Sequence, residues 1–178
     1  MTIRRLELMD THAYRGLMLD AYARHPEAFT SSMEERAALP FAWWQSRVSP
    51  EPDAPEIVIG AFRGPLLVGT VGVEFDRRFK ARHKAFLFGM YVDPSARRSG
   101  IGARLVEAAL ATARSRPGVG LAQLTVTGGN DAARALYERA GFVVFGDEPY
   151  AVAVHGGYVS KLHMWCDLGI GQQAAAHG

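Results

Sequence analysis

The spacing of apolar positions changes several times along the chain, and each change marks an element. Thr2 to Leu8 reads as a short strand, and Asp10 or Thr11 is placed to cap a helix running to about Arg24, where Pro26 ends or bends it. Ser32 followed by Glu35 has the form of a capping box, and the helix that it starts meets Pro40, which kinks or splits it before Arg47. Pro50, Pro52 and Pro55 then require a surface loop.

Beyond that loop the pattern becomes β-branched. Glu56 to Phe62 and Leu66 to Phe75, joined through Arg63-Gly64-Pro65, read as a hairpin, and Ala85 to Val92 gives a third strand after a basic loop. From Gly100 the period switches: Leu105, Val106, Ala109, Leu110 and Ala113 fall on one helix face, which ends near Pro117-Gly118. Leu121 to Thr127 is a further strand. Asn130 then caps a helix that carries Ala133, Leu136, Tyr137 and Ala140 on one side and stops at Gly141. Phe142 to Phe145 and Tyr158 to Trp165 complete the strands, with Gly146 to Tyr158 as a loop. The order predicts an α/β (α+β) domain over residues 1–168, a mixed, mostly antiparallel sheet of about seven strands flanked by about four helices. Residues 169–178, mostly Gly, Gln and Ala without a period, are expected to form a flexible tail.

Composition narrows the function classes. A length of 178 residues fits one domain, and 48% hydrophobic with 21% charged residues excludes a disordered or collagen-like chain. Twenty Lys plus Arg against eighteen Asp plus Glu leave a charge of +2, too little to hold nucleic acid by bulk electrostatics. The densest basic run, Arg77 to Lys84 around Phe79, reads as a solvated hairpin tip or as an attraction for anionic ligands. No stretch approaches the roughly 18 apolar residues of a membrane span, and the charged start is unlike a secretory signal. The single Cys166 excludes an intramolecular disulfide and a multi-Cys zinc site. The expectation is a cytoplasmic protein without metal, membrane or nucleic-acid partner; a homodimer is the common assembly.

The most informative stretch lies between a strand and a helix, Val92-Asp93-Pro94-Ser95-Ala96-Arg97-Arg98-Ser99-Gly100-Ile101-Gly102-Ala103. It permits a tight turn with two solvated arginines. It also has the makings of an anion cradle: glycines that let backbone approach a ligand, amides at a helix N-terminus, and the helix dipole behind them. The sequence G-x-x-x-x-G-K-[ST] is absent, and Gly100-Ile101-Gly102 continues as Ala103-Arg104-Leu105 rather than completing G-x-G-x-x-G.

Arg97-Arg98-Ser99-Gly100-Ile101-Gly102 resembles the [QR]-x-x-G-x-[GA] element with which the GNAT acyltransferase superfamily binds the pyrophosphate of acetyl-CoA. Asn130 to Phe142 is similar to that family's N-x-x-A-x-x-L-Y-x-x-x-G-F stretch. The resemblance covers the core from about Ile57 to Trp165 and implies acetyl transfer to an amine, on a small molecule or a protein, with acetyl-CoA as cosubstrate. It further implies that the backbone of Met90, Tyr91 and Val92 meets the pantetheine arm. Amides from Arg97, Arg98, Ser99, Gly100, Ile101, Gly102 and Ala103 would bind the pyrophosphate, and Asn130 would contact the pantetheine or adenosine side.

Tyr137 is spaced as a core aromatic, and the resemblance places it beside the thioester sulfur as a general acid. Many members carry a Glu in the strand before the pyrophosphate loop, whereas Ala85 to Val92 holds no carboxylate. Glu74 is the substitute candidate for the base, with His83 and His155 behind it, and a solvated strand-end carboxylate is the competing reading. A missing base also leaves open a non-catalytic CoA-binding or regulatory module. Phe29, Phe41, Trp43 and Trp44 read first as core, although the resemblance sets the N-terminal helices against the acceptor site. Cys166, with no base or cationic cluster near it in sequence, reads as an inert thiol.

Overall fold

The computed structural model describes residues 1–170; the expected tail lies outside the described residues from residue 171 onward. The elements run β1 (Thr2–Arg5), α1 (Thr11–Arg24), α2 (Met33–Ala37), α3 (Phe41–Arg47), β2 (Glu56–Arg63), β3 (Leu66–Phe75) and β4 (Lys84–Val92), then α4 (Ile101–Ser115), β5 (Leu121–Thr127), α5 (Asp131–Arg139), β6 (Val143–Val154) and β7 (Gly157–Asp167). The strands form one sheet in the order β1-β2-β3-β4-β5-β7-β6, antiparallel throughout except for the parallel pair β4 and β5.

Each face of the sheet buries its own cluster. On one side α4 lays Leu105, Val106, Ala109 and Ala113 against Val71, Val73, Leu87, Leu124 and Met164. On the other, α1 and α3 bring Tyr14, Met18 and Trp44 onto Val58, Phe62 and Leu67. Trp44 is fully buried, so that aromatic belongs to the core as its spacing predicts. Cys166 is buried as well, and burial pushes its thiol up, as suits an inert side chain.

Two irregularities open the sheet. At the first, the β3–β4 register slips between Thr70 and Gly72, where Gly89 takes φ +58°, a conformation that favours a residue without Cβ. The extra residue reverses the alternation of β4, so Phe88 and Tyr91 pack toward α1 while Met90 and Val92 pack toward α4. At the second, β4 pairs with β5 only from Lys84 to Phe86, against Leu121 to Gln123. Past that point β4 stays with β3 and β5 with β7, leaving a V-shaped gap.

The structure departs from the sequence reading in two places and, at Pro40, takes one of the two outcomes expected. Pro40 splits the second helix outright: α2 begins on the Ser32–Glu35 capping box and α3 starts directly after the proline. The first strand stops at Arg5 because Glu7 to Asp10 closes a reciprocal cap around a short 3-10 turn. Gly146 to Tyr158 is no loop but most of the β6–β7 hairpin. Its register breaks between Glu148 and Val152, where Pro149 and Tyr150 (φ +53°) bulge out of an edge strand that tolerates them.

Candidate functional site

The loop after β4 is shaped to leave its amides free. The Asp93 side chain accepts from the Ser95 amide at 2.8 Å, and Ser99 Oγ donates to the Ala96 carbonyl at 2.6 Å, which fixes a 3-10 turn over Pro94–Ala96. Arg98 (φ +60°) and Gly100 (φ +74°) then alternate into the left-handed region. Alternation of this kind turns successive N–H groups toward one concavity. Among the described residues, no backbone amide from Arg98 to Ala103 donates to a loop carbonyl; the first inward bond is Arg104 to Gly100 at 3.2 Å. No side chain caps the first turn of α4 either. Unpaired amides at the N-terminus of a 15-residue helix make a strong site for a phosphate group.

A cleft of about 810 Å³ opens over this loop and is lined by Met90, Arg98, Gly100, Gly102, Asn130 and Arg139 among others. A Cβ on Gly102 would point into it and meet only Leu136 at 3.4 Å and Met90 at 3.6 Å, so the glycine keeps open a volume that a side chain would fill. These features fit a pyrophosphate with an extended arm. Of the expected donor residues, Met90, Tyr91, Val92, Arg97, Arg98, Gly100, Ile101, Gly102 and Asn130 line this cleft, while Ser99 and Ala103 stand at its edge in the loop and first helical turn.

The arginine side chains play a smaller part than sequence suggests. Arg97 folds back, donating from Nε to the Val92 carbonyl at 3.0 Å and lying 3.0 Å from His25 Nε2, so it braces the loop. Arg98 forms no such bond among the described residues. The basic tip from Arg77 to His83 precedes β4, at the end opposite the amide loop, and does not line the cleft. Asn130 Oδ1 accepts from the Ala133 amide at 3.2 Å as the α5 cap, which leaves its amide NH2 for the cleft.

A second cleft, of about 510 Å³, lies on the face of α1 to α3. It shares Phe29, Met90, Asn130 and Leu136 with the first, so the two meet at the gap between β4 and β5. Tyr137 of α5 lines this second cleft. Its ring is held edge-on to Phe142 with centroids 5.8 Å apart, and it is 7% exposed. No hydrogen bond to its hydroxyl exists among the described residues, and burial pushes its pKa well up, so the phenol is neutral and its proton free to donate.

Glu74 lies in the same cleft, in the cross-sheet row Glu74–Phe86–Gln123–Trp165. The backup candidates do not: His83 ends the β3–β4 connection, where its carbonyl accepts from Gly120 and Leu121, and His155 sits in the β6–β7 turn. A pair that sequence reading missed does line it. His163 Nε2 lies 2.8 Å from Glu148 Oε2, and His163 pairs with Thr125, two residues along β5 from the Glu74 row toward the open gap. The alternation of β7, with Leu162, Met164 and Cys166 in the core, was the available signal, since it puts Lys161, His163 and Trp165 on the opposite face. Arg36 and Arg47, from the two short helices, complete the wall.

The pattern that defines the Acetyltransferase (GNAT) family matches residues 15–142. The chain is 32% identical over 149 residues to the mycothiol acetyltransferase of Beutenbergia cavernae, an alignment that takes in 84% of this chain and 44% of that protein, so the chain spans less than half of that relative's length. Among solved structures, a GNAT-family acetyltransferase from Streptococcus pneumoniae superposes with a TM-score of 0.79 at 22% identity, over 94% of this chain and 99% of that one. The ribosomal-protein-alanine N-acetyltransferase from Brucella melitensis gives 0.77 at 25% identity, over 94% and 100%. A Salmonella typhimurium protein assigned as an acetyltransferase and solved with its cofactor acetyl-CoA gives 0.78 at 20% identity, over 94% of each chain.

Proposed function

Because this chain belongs to the GNAT acetyltransferase family, we propose that it moves the acetyl group of acetyl-CoA to a primary amine by direct attack within a ternary complex. The observation that carries the proposal is the meeting of the two clefts at Met90 and Asn130, with Tyr137, whose hydroxyl has no hydrogen-bond partner among the described residues, lining the second of them. Acetyl-CoA supplies an acyl group already activated as a thioester.

The residues then divide the work. Amides from Arg98 to Ala103 hold the pyrophosphate, and the β4 edge beyond Phe86, free of β5, meets the extended arm. Glu74 and Glu148 make the second cleft attractive to an ammonium, and His163, oriented by Glu148, takes the proton that the amine must lose before it has a lone pair for attack. Tyr137 donates its hydrogen bond to the departing sulfur. A thiol is a stronger acid than a phenol, so the work of Tyr137 is to stabilise charge developing on sulfur rather than to surrender its proton outright. Holding both reactants in adjoining clefts replaces a bimolecular encounter with an oriented one.

The test is amine-dependent release of free CoA thiol. Release that rises with added amine, together with an acetylated product of matching mass, supports transfer. Binding of acetyl-CoA without release across a broad amine panel would instead favour a CoA-binding module.

A further inference from the structure

We infer that the amine taken by this site also carries a carboxylate, held by Arg36 with Arg47 beside it, so that the acceptor class is a small amino acid with an apolar body. The inference rests on the transfer reading above and names the acceptor of that same site.

Arg36 is the unusual residue. It closes the last turn of α2 and lines the second cleft, with its guanidinium 4.7 Å above the Trp43 ring and 5.7 Å from that of Tyr22. Its Nε is shut off from solvent and has no hydrogen-bond partner among the described residues. Arg4, Arg24, Arg78 and Arg134 each close on a carboxylate, whereas Arg36 forms no ion pair among the described residues. A buried donor without an acceptor is costly, and such a group calls for an explanation, which in a cleft wall a ligand can supply. The aromatic stacking fixes the plane of the guanidinium, which prepares it for the two oxygens of a carboxylate.

Its neighbours sharpen the chemistry. Arg47 lies 4.6 Å over Phe88 and 4.3 Å over Trp43, and its Nε is 3.4 Å from Glu56, so its charge is already balanced. That leaves Arg36 as a cation on this wall with no carboxylate in contact among the described residues. Lys161 reaches the Thr30 hydroxyl rather than a carboxylate. An acceptor that is only cationic, such as a polyamine, would meet Arg36, Arg47 and Lys161 with no charge to offer them. A zwitterion offers both signs: its carboxylate to Arg36 and its amine to the His163–Glu148 side. Phe86 and Phe88, at alternate positions along β4, supply an apolar floor between them.

The experiment compares L-phenylalanine, L-leucine and L-methionine with their carboxamides, in two readouts: kcat/KM for acetylation, and calorimetric titration of the N-acetyl acids against the N-acetyl amides. The wild type is expected to prefer the acid in both, and Arg36→Gln to shrink that preference about 10- to 100-fold, the range for a hydrogen bond to a charged group. Arg36→Lys should restore part of it, and unaltered acetyl-CoA binding by both variants establishes that they are folded. Acid-selective binding without turnover would sustain the inference and defeat the transfer reading. Turnover or binding that treats acid and amide alike would overturn the inference while leaving transfer standing, and so would no binding of either.

Discussion

The two clefts that meet at Met90 are built in opposite ways. The first cleft takes its open amides from one contiguous stretch, Arg98 to Ala103, and so offers a ligand backbone N–H groups. The second cleft is lined from α1, α2, α3, five strands and α5, and offers a ligand side chains: Arg36, Arg47, Glu74, Glu148, His163 and Tyr137. A ligand common to a whole family can be held by local backbone geometry, which glycine positions reveal. A ligand that differs from member to member must be read by side chains that distant segments bring together.

That contrast can be broken from either side. The largest effect should follow Gly100→Val with Gly102→Val, which forces a β-branched residue into φ +74° and puts a side chain into the donor cleft. Acetyl-CoA affinity should fall by at least about 100-fold in a calorimetric titration, since several hydrogen bonds to a charged group go together. His163→Gln should lower kcat by about 10- to 100-fold with little change in acetyl-CoA affinity, as steady-state kinetics would register. Arg97→Gln should weaken acetyl-CoA binding only several-fold, because its side chain braces the Val92 carbonyl.

The smallest effect concerns neither cleft. The hydrogen bond from Arg4 holds the Asp10 carboxyl below its usual value, with help from the Glu7 amide and against desolvation. A carboxylate lowered in the folded state stabilises the protein above its unfolded pKa near 4, and the contribution is lost as pH falls through the lowered value. Asp10→Asn should therefore cost about 1 kcal/mol in urea unfolding at pH 7, the low end because Arg4 is 39% exposed, and almost nothing at about pH 2.

Legibility in the sequence follows the same division. The bounds of α5 were readable because its cap Asn130 and its apolar period agree, those of α4 from its apolar face alone, and those of α1 from Asp10 and Thr11 at its start and Pro26 past its end. The open-amide loop before α4 was readable too, since Gly100 and Gly102 flag backbone without covering side chains there. The β6–β7 hairpin was not, because an edge strand faces solvent and admits Pro149 at a bulge, which erases the alternation that identifies a strand. His163 was missed because its partner Glu148 lay in that supposed loop. Arg36 and Arg47 were not singled out in the sequence, and only the aromatic rings beneath them mark them as part of a wall.

The most direct test of the central claim, that transfer occurs where the two clefts meet and draws on Tyr137, is to measure kcat and the acetyl-CoA Kd together for Tyr137→Phe. The variant keeps the ring against Phe142 and removes only the hydroxyl. The expected result is a kcat lowered by about 100-fold or more with Kd within a factor of about two of the wild type. A kcat equal to that of the wild type would contradict the account, because the Tyr137 hydroxyl would then do nothing for the departing sulfur.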